Sequence, residues 1–126
     1  MKIKGLDYMM KNNFLREYLM KIEYFLNDND YQKAYQTSQL LMNYVNLEFI
    51  KKKYDMTPKV SETVELIKIY MEKEPHLAEL LVRVNDKYIF CSEKDIEKED
   101  VQEVLEILEE IYEYMENEYN IKNMFT

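Results

Sequence analysis

Glycine occurs once in this 126-residue chain, at Gly5, and proline twice, at Pro58 and Pro75. So few punctuators leave little for tight β-hairpins. With one glycine, neither a Walker loop nor a Gly-x-Gly-x-x-Gly turn can be written, so the glycine-rich phosphate cradles are excluded. Cysteine also occurs once, at Cys91, which rules out an intrachain disulfide. His76 is the only histidine, so a Cys/His zinc cluster cannot be assembled within one chain. The Glu-x-x-His pairs of di-iron bundles fail as well, because the residue three before His76 is Lys73. No metal or other cofactor is expected. No run approaches the ~20 consecutive apolar residues of a membrane-spanning helix. The charged opening Met1-Lys2-Ile3-Lys4 carries no apolar stretch of signal length, which predicts a cytoplasmic protein.

What is present favours helix. Apolar residues make up 47% of the chain and charged residues 33%, a globular balance rich in Leu, Glu, Lys, Met and Ile. At this length one domain spanning residues 1–126 is expected, burying roughly two-thirds of the surface of the unfolded chain. The net charge of −8 would repel phosphate, so direct binding of nucleic acid by the chain alone is not expected. The charge is uneven. Glu93 to Glu118 holds twelve acidic residues against Lys94 and Lys98, while Lys51-Lys52-Lys53 is the one basic run.

The apolar spacing predicts five amphipathic helices. The first carries Leu15, Tyr18, Leu19, Ile22, Phe25 and Leu26, and runs from about residue 8 or 13 to 27. Asp30 can cap a second, about 31–54, with a face of Tyr31, Ala34, Tyr35, Ser38, Leu41, Met42, Val45 and Phe49. Thr57-Pro58 reads as a cap and first-turn proline for a third, about 58–73, with the stripe Val60, Val64, Ile67, Met71. Pro75 can open a fourth, about 75–90, carrying Leu77, Leu80, Leu81, Val84 and Tyr88. The fifth, about 99–120, has Val101, Val104, Leu105, Leu108, Ile111, Tyr112, Met115 and Tyr119 inward and the acidic load outward, with Glu99 and Asp100 at its positive end. The expected architecture is an all-α, antiparallel up-and-down bundle of four long helices and a shorter fifth.

The many carboxylates read first as a solvated face. His76 and Arg83, seven apart, share a helix side two turns from each other. Most methionines fall on or near core stripes and read as core filling. The twelve tyrosines are spread over every helix. Those on apolar stripes are expected at core edges, whereas Tyr24, Tyr44, Tyr70 and Tyr114 sit off or beside the stripes and are the candidates for an interface.

The run Asn29-Asp30-Tyr31-Gln32-Lys33-Ala34 enters a long helix, a short helix follows, and Glu97-Lys98-Glu99-Asp100-Val101-Gln102-Glu103-Val104-Leu105 opens a last acidic one. Over about residues 8–120 this pattern resembles HEPN-domain proteins. The resemblance implies a helical bundle, commonly dimeric, from toxin–antitoxin, phage-defence or RNA-processing systems, often beside a nucleotidyltransferase partner. It also implies a metal-independent ribonuclease motif: Arg, a polar residue, three variable residues, then His, set at a dimer interface. Here Arg83-Val84-Asn85-Asp86-Lys87-Tyr88 keeps the Arg but has Val in the polar place and Tyr in place of His. A phenol with a pKa near ~10 is a poor general base at neutral pH. If such a site were active, its residues would be Arg83 and Tyr88 with His76, which precedes Arg83 rather than following it.

The expectation is therefore a noncatalytic helical protein-binding module, a regulator or accessory subunit, with a protein partner and a homodimeric state. Candidate contacts are Tyr24, Tyr44, Tyr70, Arg83, Tyr88 and Tyr114. Two alternatives stand beside it. One is a HEPN-type ribonuclease; the other is an acidic inhibitor whose Glu103, Glu106, Glu110 and Glu113 imitate a phosphate backbone and occupy the cleft of a nucleic-acid-binding protein.

Overall fold

The computed structural model describes residues 9–59, 62–121 and 124–125. Within them the chain forms five α-helices and no strand: α1 (Asn13–Asn27), α2 (Tyr31–Tyr54), α3 (Thr63–Lys73), α4 (Pro75–Cys91) and α5 (Lys98–Glu118). None is long and apolar enough to cross a membrane. Residue 8, a possible first residue of the first predicted helix, lies outside the described residues.

Local chemistry sets most of the boundaries. Asn12 caps α1, its Oδ1 accepting from the N–H groups of Phe14 (2.9 Å) and Leu15 (3.0 Å). Asn29 adopts a left-handed φ of 58°, which lets the Asp30 N–H reach back to the Phe25 carbonyl at 2.8 Å and close α1. Asp30 then caps α2 through the Lys33 N–H, 3.2 Å away. At the other end of α2, Asp55 is left-handed, with φ 52°.

The third helix departs from expectation. It begins at Thr63, so Thr57 and Pro58 precede it and do not cap it. Its buried face is Thr63, Leu66, Ile67 and Tyr70, while Val64 and Met71 of the expected stripe are exposed and Val60 lies outside the described residues. The cause is the breadth of the apolar arc: opposite Glu65, Lys68 and Glu72 it runs from Leu66 through Tyr70 and Ile67 to Met71 and Val64, so the neighbours decide which part of it turns inward.

The buried residues of all five helices join in one cluster. Phe14 stacks on Tyr44 while Lys33 lies over Phe25, so α1 and α2 run in opposite directions. The same holds for α4 and α5, where His76 meets Tyr114 and Lys87 meets Asp100. Along α2 and α3 the contacts advance in the same sense: Thr63 Oγ1 meets Asn43 Oδ1 at 3.3 Å, and Tyr70 Oη donates to Asn46 Oδ1 at 2.7 Å. Strict up-and-down alternation therefore does not hold for this pair. The eight residues from Asp55 to Glu62 can reach up to about 27 Å, more than the ~16 Å of helix between Tyr54 and Asn43, so the chain can return before α3 starts. Beyond α5, Phe125 is buried against Tyr112 and Tyr44, and its carbonyl accepts from Asn12 Nδ2 at 2.7 Å.

Candidate functional site

Helix α4 lies between two grooves, and its sequence divides accordingly. One side, with Arg83, Asp86, Lys87 and Phe90, faces α5; the other, with Asn85 and Tyr88, faces α2 and α3.

The α5 side is a ladder of polar pairs laid over the apolar seam of the two helices. His76 rests against the Tyr114 ring, centroids 4.8 Å apart. Arg83 Nη1 lies 3.3 Å from Glu110 Oε2, with both side chains more than half exposed. Lys87 Nζ, only 12% exposed, sits 2.7 Å from Asp100 Oδ1 and 2.9 Å from Glu103 Oε2, and Lys94 Nζ takes Asp100 Oδ2 at 2.9 Å. Asp100 Oδ2 also accepts from the Glu97 N–H at 2.8 Å, closing the first turn of α5. Burial alone would raise the Asp100 carboxyl, but Lys87, the Glu97 N–H and Lys94 overcome it and hold the group well below the usual carboxylate range. Lys87 is the mirror case, with burial opposed and outweighed by the bonds to Asp100 and Glu103, so its ammonium titrates above the usual range.

Beside this network Arg83, Asp86, Lys87, Phe90, Glu103, Glu106 and Ile107 line an open groove of about 410 Å³. Phe90 stands 63% exposed at its edge, with the ammonium groups of Lys87 and Lys94 at 5.2 and 5.1 Å from the ring. Glu103, Glu106, Glu110 and Glu113 are all exposed along the outer side of α5. Glu103 and Glu110 spend charge on Lys87 and Arg83; Glu106 and Glu113 have no such partner among the described residues.

The second groove, about 560 Å³, is lined by Gln36, Gln39, Leu40, Asn43, Glu62, Thr63, Val64, Asn85 and Tyr88. Tyr88 packs edge-on against the buried Tyr35, with centroids 6.0 Å apart; both hydroxyls are enclosed without a hydrogen-bond partner among the described residues. Burial raises both phenols well above their ordinary value, which makes Tyr88 a still poorer base at neutral pH.

Tested against this geometry, the sequence candidates separate. His76 and Arg83 do share the α5-facing side of α4. Tyr88, five residues after Arg83 and so about 140° away around the helix, points toward α2. The three side chains do not converge within the chain. Tyr24 is exposed on α1, and Tyr44 is half-buried in the α1–α2 seam. Tyr70 corrects the expectation of an interface tyrosine: it is fully buried, its hydroxyl held by Asn46, because α3 turns that side inward. Tyr114 is half-buried, against His76 and 3.5 Å from a carboxylate oxygen of Glu74. The Lys87–Asp100–Lys94 network and Phe90 escaped the sequence reading, although Asp100 was legible as an acidic residue in the first turn of a helix.

Among the described residues no group of three or more His, Cys, Asp or Glu side chains is placed to hold a metal ion. Comparison with protein families, curated proteins and solved structures finds no match to this chain.

Proposed function

We propose that this chain is a noncatalytic helical protein-binding module of HEPN-like type, a regulator or accessory subunit in a prokaryotic or phage defence or toxin–antitoxin-type system. It acts through a protein partner and also self-associates as a homodimer. The observation that carries the reading is the outer end of α4, where Ile89 and Phe90 stand 64% and 63% exposed, with Phe90 at the edge of an open groove. Adjacent large apolar side chains held in water on a rigid helix are the usual anchors of a protein interface. The ribonuclease alternative draws no support from α4, since Arg83 is tied to Glu110 and Tyr88 faces away from it.

The test is the double substitution Ile89→Ser with Phe90→Ser, with the fold checked by circular dichroism. Crosslinking in the native host and sedimentation velocity then measure partner capture and self-association. Loss of an anchor pair should weaken capture by about 30-fold, the equivalent of ~2 kcal/mol. A variant that keeps its host partner and its sedimentation coefficient would refute the reading.

A further inference from the structure

Resting on that reading, we propose that the groove between α4 and α5 receives a cationic helical segment of the partner protein, seated by an apolar side chain on Phe90. Charge complementarity argues for the sign. The groove and its rim hold three cations among the described residues, Arg83, Lys87 and, beside the Phe90 ring, Lys94, and all three are already bound by carboxylates of α5. Asp86 and Glu106 line the same groove with no cation at ion-pair distance among the described residues, and Glu113 extends the row along α5. An arriving Lys or Arg thus finds carboxylates free to accept it beside the exposed Phe90 ring, while an acidic segment meets uncompensated like charge. The net charge of −8 acts in the same direction at long range, steering cationic partners and repelling anionic surfaces.

The shape argues for a helix. Every described element here is α-helical, so no sheet edge offers backbone groups to an extended peptide. Recognition falls to side chains in a groove. Glu103, Glu106, Glu110 and Glu113 recur at three- and four-residue intervals over about 15 Å of α5, a spacing that a second helix with cations every turn can match. The Arg83–Glu110 pair is more than half exposed on both sides, so exchanging its partner costs little.

The probe is a labelled 14-residue amphipathic peptide of leucine and lysine, titrated by fluorescence anisotropy against the full chain, with a leucine–glutamate peptide of the same pattern beside it. Phe90→Ser and Glu106→Lys should each weaken the lysine peptide about tenfold or more, with binding that falls steeply as salt rises. Glu23→Lys, the same charge change placed on the exposed side of α1, should weaken it less than about threefold. Equal losses at Glu23 and Glu106 would show attraction to bulk acidity and overturn the proposal, as would equal binding of the glutamate peptide or no binding of either. If the lysine peptide fails while the Ile89/Phe90 double variant still loses its host partner, the class of occupant is wrong and the binding-module reading survives; if both fail, both fall.

Discussion

Glu74 and Asp100 are each 3% exposed, yet they are satisfied by opposite means. Asp100 lies between two ammonium groups, those of Lys87 and Lys94. Glu74 is the one-residue link between α3 and α4, and no cation lies at ion-pair distance from it among the described residues. Instead it collects phenols: Tyr119 Oη donates to both its oxygens, at 2.9 Å to Oε2 and more closely to Oε1, with Tyr114 at 3.5 Å. That bond to the carboxylate, with burial adding to it, pushes the Tyr119 phenol up to about 12. Phe49 and the Lys53 ammonium pack on the Tyr119 ring, so this cluster ties the ends of α2, α4 and α5 together. One carboxylate is neutralised and the other only solvated by the protein, which makes one cluster answer to acid and salt and the other to the loss of a single hydroxyl.

The largest expected effect is at Asp100. Asp100→Asn leaves Lys87 and Lys94 short of their shared partner and should cost about 2–4 kcal/mol in a urea melt. Because the folded-state value of Asp100 is depressed, its contribution is complete above the ordinary carboxyl value of ~3.9 and drains away as the pH falls through the lower folded value. Below about pH 4 the wild type should therefore lose stability more steeply than Asp100→Asn. Lys87, raised, holds its contribution below its ordinary value of ~10.4 and loses it only as the pH climbs beyond. Parallel acid melts of the two proteins check this, and equal slopes below about pH 4 would show that Lys87 and Lys94 do not hold the Asp100 carboxylate.

Tyr119→Phe should come next, at about 1–2 kcal/mol, the cost of removing one donor from a buried carboxylate. A double-mutant cycle with Glu74→Gln should return most of that cost as coupling. Added salt should leave the coupling almost unchanged while reducing that of Lys87 with the half-exposed Glu103. Ultraviolet titration of the folded protein should find the Tyr119 phenol ionising near 12; a group titrating near its ordinary ~10 would mean the phenol does not donate to Glu74. The smallest effect belongs to Arg83→Ala, less than ~1 kcal/mol, since Arg83 and Glu110 meet in water. A loss above about 2 kcal/mol would show that the pair is buried in solution, as a dimer contact through Arg83 requires.

The sequence by itself determined where most helices begin and end and which faces they bury. Asn12, Asp30 and Pro75 sit at the starts of α1, α2 and α4, and the apolar stripes of α1, α2, α4 and α5 enter the core as their spacing dictates, because capping and periodicity are properties of a few neighbouring residues. Only the tertiary structure decided the face of α3, where Tyr70 goes in and Met71 stays out. It alone decided the direction of α3 along α2, and that Arg83 and Tyr88 part company on either side of α4. The meeting of Glu74 with Tyr119, 45 positions away, belongs there too. These are choices between partners remote in the chain, and local pattern carries no term that distinguishes them; close packing and the satisfaction of buried polar groups do.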